Sequence, residues 1–111
     1  MMRQFLTSTV EQRKTFDSNF ETHPMEVAWA SEAIFFIQVE KIVSDVLAMK
    51  VYSQISVDGV FWIDEGATLD TITKEGRYFL RLKHFGGWLR LRCEMTDNSK
   101  ANLTIHLVCK E

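Results

Sequence analysis

Apolar and polar residues alternate one by one in four separate segments of this sequence. The segments span residues 47–57, 77–83, 88–94 and 102–110. Successive side chains of a β-strand point to opposite faces of its sheet, so alternation with a period of two predicts a strand with one buried face. No segment carries the long apolar stripe of an amphipathic helix. The pattern therefore predicts an all-β fold.

Turn-forming residues separate the alternating segments. Asp58-Gly59 follows the first of them and favours a two-residue type I′ hairpin turn, which needs positive φ angles. A Gly-Gly pair between the second and third segments predicts a hairpin that would place Arg81 beside Arg90. A polar loop at 96–100 predicts a further hairpin between the third and fourth segments.

Two more strands are predicted at 26–31 and 33–42. The second is apolar on both faces from residue 34 to 37, which is typical of a central strand or of one covered on both sides. About eight short strands with a turn about every 8–12 residues predict an antiparallel β-sandwich. We expect it to be jelly-roll-like rather than a closed barrel.

The first 24 residues follow no clear period. Phe5, Phe16 and Phe20 are apolar anchors separated by polar residues. We expect residues 1–24 to form an extended N-terminal arm with one or two short strands, packed on its own domain or on a neighbouring copy. Residues 25–111 would form the β-sandwich domain, and the length of 111 residues fits one such domain.

The sequence has no long apolar segment. Its longest purely apolar run is residues 33–37, far short of the ~20 residues that span a bilayer. The N-terminal residues carry charges and lack the apolar region of a secretory signal. We therefore expect no membrane association, and a location in the virion for a phage-encoded chain or in the cytoplasm otherwise.

Charge is divided unevenly along the chain, although the formal net charge is only −2. Residues 1–76 hold six Lys and Arg against twelve Asp and Glu, and residues 77–111 hold seven against three. From Arg77 to Arg92 there are five basic residues and no acidic one. This asymmetry indicates an anionic partner for the basic part, either within the same fold or on another molecule.

Few residues of the sequence suit a catalytic or metal site. His23, His84 and His106 lie far apart and lack metal-ligand spacing. Cys93 and Cys109 fall on the apolar faces of their segments, which predicts free buried thiols rather than a nucleophile or a disulfide. The acidic residues around the first turn lack the dense spacing of a calcium loop. We therefore predict no metal, no cofactor and no enzymatic activity.

Aromatic and basic residues are interleaved on the polar faces of the predicted strands. Aromatic residues and arginine are enriched at protein interfaces, which favours a contact surface. A carbohydrate- or polymer-binding module using Tyr52, Phe79 and Trp88 is the alternative, followed by single-stranded nucleic acid on residues 77–92. The negative net charge argues against nucleic acid. The residues predicted to form the interface are Phe5, Phe16, Phe20, Phe79, Arg81, Trp88, Arg90 and Arg92.

The span from Trp29 to Lys110 contains motifs found together in a known group of proteins. A turn at residues 56–62 reads S-V-D-G-V-F-W, and two later strands read G-R-Y-F-L-R-L and G-G-W-L-R-L-R-C. These motifs resemble those of small phage-type and uncharacterised bacterial β-sandwich proteins of the virion. The resemblance implies a repeated structural subunit without an active site, and a core position for Trp62.

The leading hypothesis is a non-enzymatic structural subunit, for example a phage capsid decoration protein. Its partners would be copies of itself and a larger capsid or assembly protein. Aromatic and arginine anchors would be buried at the subunit contacts. The oppositely charged parts of the chain would give head-to-tail complementarity.

Overall fold

The computed structural model describes residues 5–83, 85–96 and 98–111, and these residues are all β or loop. Within them lie nine strands: β1 Phe5–Phe16, β2 Phe20–Glu21, β3 Met25–Glu26, β4 Glu32–Ile42, β5 Met49–Ser56, β6 Ile63–Thr68, β7 Gly76–Lys83, β8 Trp88–Met95 and β9 Ala101–Lys110. The described residues contain no helix that is long and apolar enough to cross a membrane.

The strands form two antiparallel sheets that pack against each other. The first sheet has the order β1-β9-β4-β7, and the second has the order β2-β8-β5-β6 with β3 also paired to β8. The predicted antiparallel β-sandwich is therefore confirmed, with nine strands in the described residues instead of about eight. The largest fully buried side chains of the core come from both sheets and include Phe35, Ile37, Met49, Leu89, Leu91, Leu103, Ile105 and Leu107.

The longest pairing joins β4 to β9 in the middle of the first sheet. Its register runs from Glu32 opposite Lys110 to Ile42 opposite Ala101, with one shift between Val39 and Lys41. Phe35 points inward and is fully buried, whereas its neighbour Phe36 points to the outer face and is 42% exposed. The predicted central position of 33–42 is therefore confirmed, but the second apolar face of the strand is open rather than covered.

The alternating segments are all strands in the structure. They correspond to β5, β7, β8 and β9, with ends that differ from the prediction by at most two residues. The strand predicted at 26–31 is much shorter, since only Met25–Glu26 pairs with β8. The chain then turns, and the N–H of Ala30 donates to the carbonyl oxygen of Val27.

Residues 5–16 of the predicted N-terminal arm form one long edge strand, β1, beside β9. Only one or two short strands were expected here, whereas β1 has 12 residues. Two bulges interrupt its register, between Thr9 and Glu11 and between Glu11 and Lys14. Arg13, in the second bulge, has a φ of +47°. Each bulge shifts the faces of the strand, so the alternation that would identify β1 is lost from the sequence.

Neither hairpin predicted for the basic segments exists. β7 and β9 belong to the first sheet and β8 belongs to the second, so both connections cross the sandwich. Arg81 and Arg90 consequently lie on opposite outer faces instead of side by side. Alternation identifies a strand but not its partner, because a short link can turn back within one sheet or step across the ~10 Å between two sheets.

The two cysteines face the core from opposite sheets. Cys93 lies on β8 and Cys109 on β9, and both are free and buried. The predicted state of the thiols is confirmed, although the hairpin assumed for their two strands is wrong. Burial raises the pKa of Cys93 to about 12 and that of Cys109 to about 11, so both stay protonated at neutral pH.

We expect neither thiol to react with an aromatic disulfide reagent at about pH 8 in the native protein, because only an accessible thiolate attacks such a reagent. Both thiols should react after the chain is unfolded in guanidinium chloride, as measured by the absorbance of the released chromophore. Rapid labelling of either cysteine without denaturant would contradict the buried placement.

Candidate interaction surfaces

The outer face of the second sheet carries two arginines that lie over aromatic rings. Arg90 and Arg92 project outward from β8, opposite Gln54 and Tyr52 of β5. The guanidinium carbon of Arg92 is 4.1 Å from the ring centroid of Tyr52, and that of Arg90 is 4.4 Å from the ring of Trp62. Both distances are those of a cation–π contact. We refer to Arg90 and Arg92 as the arginine pair.

Side chains of the same molecule satisfy the arginine pair. Arg90 Nε donates to Gln54 Oε1 at 2.8 Å, and Gln54 Nε2 donates in turn to Asp64 Oδ1 at 3.0 Å. Arg92 Nη2 donates to Asp64 Oδ2 at 3.1 Å. A longer ion pair of 3.8 Å joins Arg90 to Glu21. The acidic first part of the chain therefore neutralises these two cations within the fold.

The same network shifts two pKa values. The hydrogen bond from Gln54, and then that from Arg92, lowers the pKa of Asp64 below its usual value. Hydrogen bonds to Glu94 and Asp64 raise the pKa of Arg92. Each partner stabilises the charged form of the other, and the network ties β6 to β8 across β5.

We expect this network to make stability depend on pH in the acidic range. The pKa of Asp64 is lower in the folded than in the unfolded chain, so its contribution is present above the ordinary value of 3.8 and is lost as the pH falls through the folded-state pKa. Between about pH 6 and pH 2, the free energy of unfolding in urea should fall more steeply for the wild type than for Asp64→Asn. Identical pH profiles of the two proteins would count against the network.

The outer face of the first sheet presents two aromatic rings to solvent. Phe36 of β4 and Phe79 of β7 lie directly opposite each other in the register, and Phe79 is 50% exposed. Arg77, Arg81 and Lys83 are exposed on the same face of β7. In the part of the chain that the structure describes, these three cations form no ion pair. We call these five residues the aromatic–basic face.

The loop between β5 and β6 is held by side-chain caps. Ser56 Oγ accepts the backbone N–H of Gly59 at 2.8 Å. Asp58 Oδ1 accepts the N–H groups of Val60 and Phe61 at 2.9 and 3.0 Å. The predicted type I′ turn is therefore wrong, since that turn needs two positive φ angles and only Gly59, at +81°, supplies one here. The Asp58 carboxylate stabilises a wider loop by binding its N–H groups.

Apolar side chains cover the outside of this loop. Val57 is 91% exposed and Phe61 is 79% exposed. Together with Ile63 and Asp58, they line an open depression of about 190 Å³. We call residues 57–63 the apolar loop. Large exposed apolar side chains grouped on one short loop are typical of an interaction site.

Two tryptophans, Trp62 of the apolar loop and Trp88 of β8, pack on the outside of the second sheet. Trp62 is half-buried beneath the Arg90 guanidinium, so its expected core position is wrong. Trp88 borders Gly59, where an added Cβ would lie 3.0 Å from a carbon of the indole ring. A surface indole can pack one face on the protein and keep its polar N–H near water, which a core position would not allow.

We expect Gly59→Ala to destabilise the protein more than Gly66→Ala. Both glycines have a positive φ, +81° and +113°, which L side chains rarely adopt, so each substitution brings backbone strain on the order of 1–3 kcal/mol. Only at Gly59 would the new Cβ also meet a neighbour, Trp88, because nothing lies within 4 Å of the corresponding position at Gly66. Urea denaturation of the two variants measures the difference, and equal losses would show that the Trp88 contact is not rigid.

The residues predicted to form one interface do not lie on one surface. Phe79 and Arg81 belong to the aromatic–basic face, whereas Trp88 and the arginine pair lie on the opposite outer face. The alternative platform of Tyr52, Phe79 and Trp88 is divided in the same way, since Tyr52 lies on the second sheet. The basic strands proposed for nucleic acid, β7 and β8, likewise face opposite directions.

The three phenylalanines of the predicted arm have two different environments. Phe16 and Phe20 stack with ring centroids 3.7 Å apart and pack against the core. Phe5 is exposed at the start of β1, with the Lys110 ammonium 5.8 Å from its ring. Phe5 is therefore the member of the three whose ring is open to a partner.

The histidines form no cluster over the described residues. His23 is exposed, and His106 Nδ1 lies 3.2 Å from Thr9 Oγ1 on the outer face of the first sheet. His84 lies outside the described residues. Across residues 5–83, 85–96 and 98–111, no three His, Cys, Asp or Glu side chains are grouped so as to hold a metal ion.

Several exposed residues of these surfaces, among them Phe36, Val57 and Phe61, were not among the predicted interface residues. Phe36 had a signal in the sequence, because a strand that is apolar on both faces exposes one of them when no second layer covers it. Val57 and Phe61 were interpreted as strand residues on either side of a tight turn. The available signal for the apolar loop was that apolar residues stand on both sides of the predicted turn.

No protein-family model matches this sequence, and no curated protein matches it. Solved structures do share its fold. The SPBc2 prophage-derived protein YomS has a TM-score of 0.65 and 8% sequence identity, over all of this chain and 96% of that one. A protein of the T13 infectious bursal disease virus particle has a TM-score of 0.54 and 12% identity, over 97% of this chain and 31% of that one.

A third similar structure comes from Bacillus endospore appendages, which are described as disulfide-linked pili. It has a TM-score of 0.53 and 7% identity, over 97% of this chain and 83% of that one. At these identities the three proteins have the β-sandwich fold in common with this chain.

Proposed function

We propose that this chain is a non-enzymatic structural subunit that assembles with copies of itself, as a component of a phage virion or a similar particle. The observation that carries the proposal is the aromatic–basic face. Its two opposed rings are open to solvent, and its cations form no ion pair among the described residues. Aromatic residues and arginine are the residue types that concentrate binding energy at the centres of interfaces.

The contrast with the second sheet favours this face as the contact. There the arginine pair is already bound by Asp64, Glu21 and Glu94. A partner covering that face would have to desolvate satisfied ion pairs and would gain little in return. On the aromatic–basic face, Glu32 lies opposite Lys83 without forming an ion pair among the described residues, and a partner with carboxylates would supply counter-charges to Arg77 and Arg81.

The order of the strands also supports the proposal. When β3 is not counted, eight strands remain in the described residues. Numbered in chain order, strands 1, 8, 3 and 6 form one sheet, and strands 2, 7, 4 and 5 form the other. This order favours a jelly roll, an architecture of two packed sheets that viral capsid domains use. The likeness in fold to a prophage-derived protein and to a protein of a virus particle agrees with a virion component.

Three of the described groups that could perform chemistry are buried or hydrogen-bonded within the fold. The thiols of Cys93 and Cys109 are buried and have raised pKa values, so neither is poised as a nucleophile. The Asp64 carboxylate is bound by Gln54 and Arg92. These assignments favour a structural role over catalysis.

We expect the purified protein to associate in light scattering, with a mass that rises above the 12.9 kDa of the single chain as its concentration increases. Phe79→Ser should weaken this association about tenfold or more, because a central interface aromatic contributes about 2 kcal/mol or more. Val46→Ser is the matched control, since Val46 is an exposed valine before β5 and is not a member of the face. A wild-type mass of 12.9 kDa at every concentration would contradict self-assembly.

A further inference from the structure

The apolar loop offers a receptor site with a defined chemistry. Its depression of about 190 Å³ is lined mostly by apolar residues, and Asp58 is the one ionisable residue among those that line it. No lysine or arginine occurs between residues 51 and 73, whereas this span contains four acidic residues. A complementary ligand would therefore combine an apolar group with a nearby cation.

Asp58 has an oxygen available for such a cation. Its Oδ1 accepts the loop N–H groups of Val60 and Phe61, and these hydrogen bonds lower the pKa of the carboxyl. Among the described residues, no hydrogen bond or ion pair uses Oδ2. The carboxylate is exposed and ionised at neutral pH, at the edge of an apolar surface.

The same chain carries a ligand of this chemistry on its aromatic–basic face. Phe79 and Arg81 lie two residues apart on β7, so their side chains project from the same face of the strand. The Arg81 guanidinium carbon is 5.1 Å from the Phe79 ring centroid, and both side chains are exposed. An apolar cavity of about 150 Å³ holds a benzene molecule, so the depression is large enough for one phenyl ring.

We propose that the depression of the apolar loop receives Phe79 of a second copy of this chain, with the guanidinium of Arg81 against the Asp58 carboxylate. The proposal rests on the proposed function, because it assigns the partner of the aromatic–basic face. Two different surfaces meet in this contact. Each copy therefore presents its aromatic–basic face to one neighbour and its apolar loop to another. Such a head-to-tail contact builds a ring if the rotation closes and a filament if it does not.

Charge argues against the two symmetric alternatives. A contact between two apolar loops would bring together the carboxylates around Asp58, and a contact between two aromatic–basic faces would bring together Arg77, Arg81 and Lys83. Like charges opposed across an interface cost several kcal/mol. The head-to-tail contact instead places the acidic loop against the basic strand.

The test mixes two variants that each lack one of the two surfaces. Val57→Lys places a cation in the depression, where it would repel Arg81 of the second copy. Val57 is so exposed that the substitution should not change the fold. Phe79→Ser combined with Arg81→Ser removes the ligand and leaves the apolar loop intact. Val46→Lys is the matched control, since it adds the same charge to an exposed valine at the other end of β5. Urea denaturation of each variant serves to verify that it folds.

We expect each blocked variant alone to associate at least tenfold more weakly than the wild type in light scattering. An equimolar mixture of the two should form a one-to-one dimer of about twice 12.9 kDa, because one copy supplies an intact loop and the other an intact face. Val46→Lys should associate like the wild type.

Three results would overturn this contact. A mixture that stays monomeric while the wild type associates would exclude a head-to-tail contact through these surfaces and leave the proposed function standing. Undiminished association of either blocked variant alone would indicate a symmetric contact instead. A monomeric wild type would refute the proposed function itself, and this contact with it.

Discussion

The pairing of β4 with β9 is the interaction on which the rest of the sandwich depends. The two strands form the middle of the first sheet, and β1 and β7 attach to their outer edges. Their inward side chains, Phe35 and Ile37 on one strand and Ile105 and Leu107 on the other, are fully buried. Successive side chains of a strand point to opposite faces. The register that places these side chains in the core therefore also places Phe36 on the outer face, beside Phe79. The exposed rings are thus a direct consequence of the pairing that stabilises the fold.

Two strands of similar sequence have opposite electrostatic environments. β7 and β8 each alternate leucines with basic residues, yet the arginines of β8 are paired and those of β7 are not. The difference lies in their position, since β8 is flanked by β5 and β2 and lies within reach of Asp64 and Glu21. Among the described strands β7 is an edge strand that pairs with β4, which places Ile34 opposite Arg81 and Gln38 opposite Arg77. Glu32 lies opposite Lys83 but forms no ion pair with it. An edge position leaves the charge of a basic strand available to another molecule.

The sequence predicted the strands of this protein far better than their partners. Alternation located β5, β7, β8 and β9 because each has one face in the core, a local property that a period of two records directly. It could not show that β8 lies in the other sheet from β7 and β9, since that choice depends on packing between distant segments. The two bulges of β1 removed the alternation that would have predicted this strand. The hydrogen bonds accepted by Asp58 stabilise a wide apolar loop where a tight turn was predicted. For the candidate site, the residue types were predictable, but their division between two outer faces was not.

The two bulges of β1 also limit how copies of this chain can pack together. A straight edge strand of 12 residues would expose a row of unpaired N–H and C=O groups, and such a row recruits strands of neighbouring molecules without limit. The bulges and the left-handed backbone of Arg13 bend this row and break its regular spacing. At high protein concentration, merging of the sheets of neighbouring molecules into cross-β aggregates is therefore disfavoured, and side-chain contacts remain the available way for two molecules to associate.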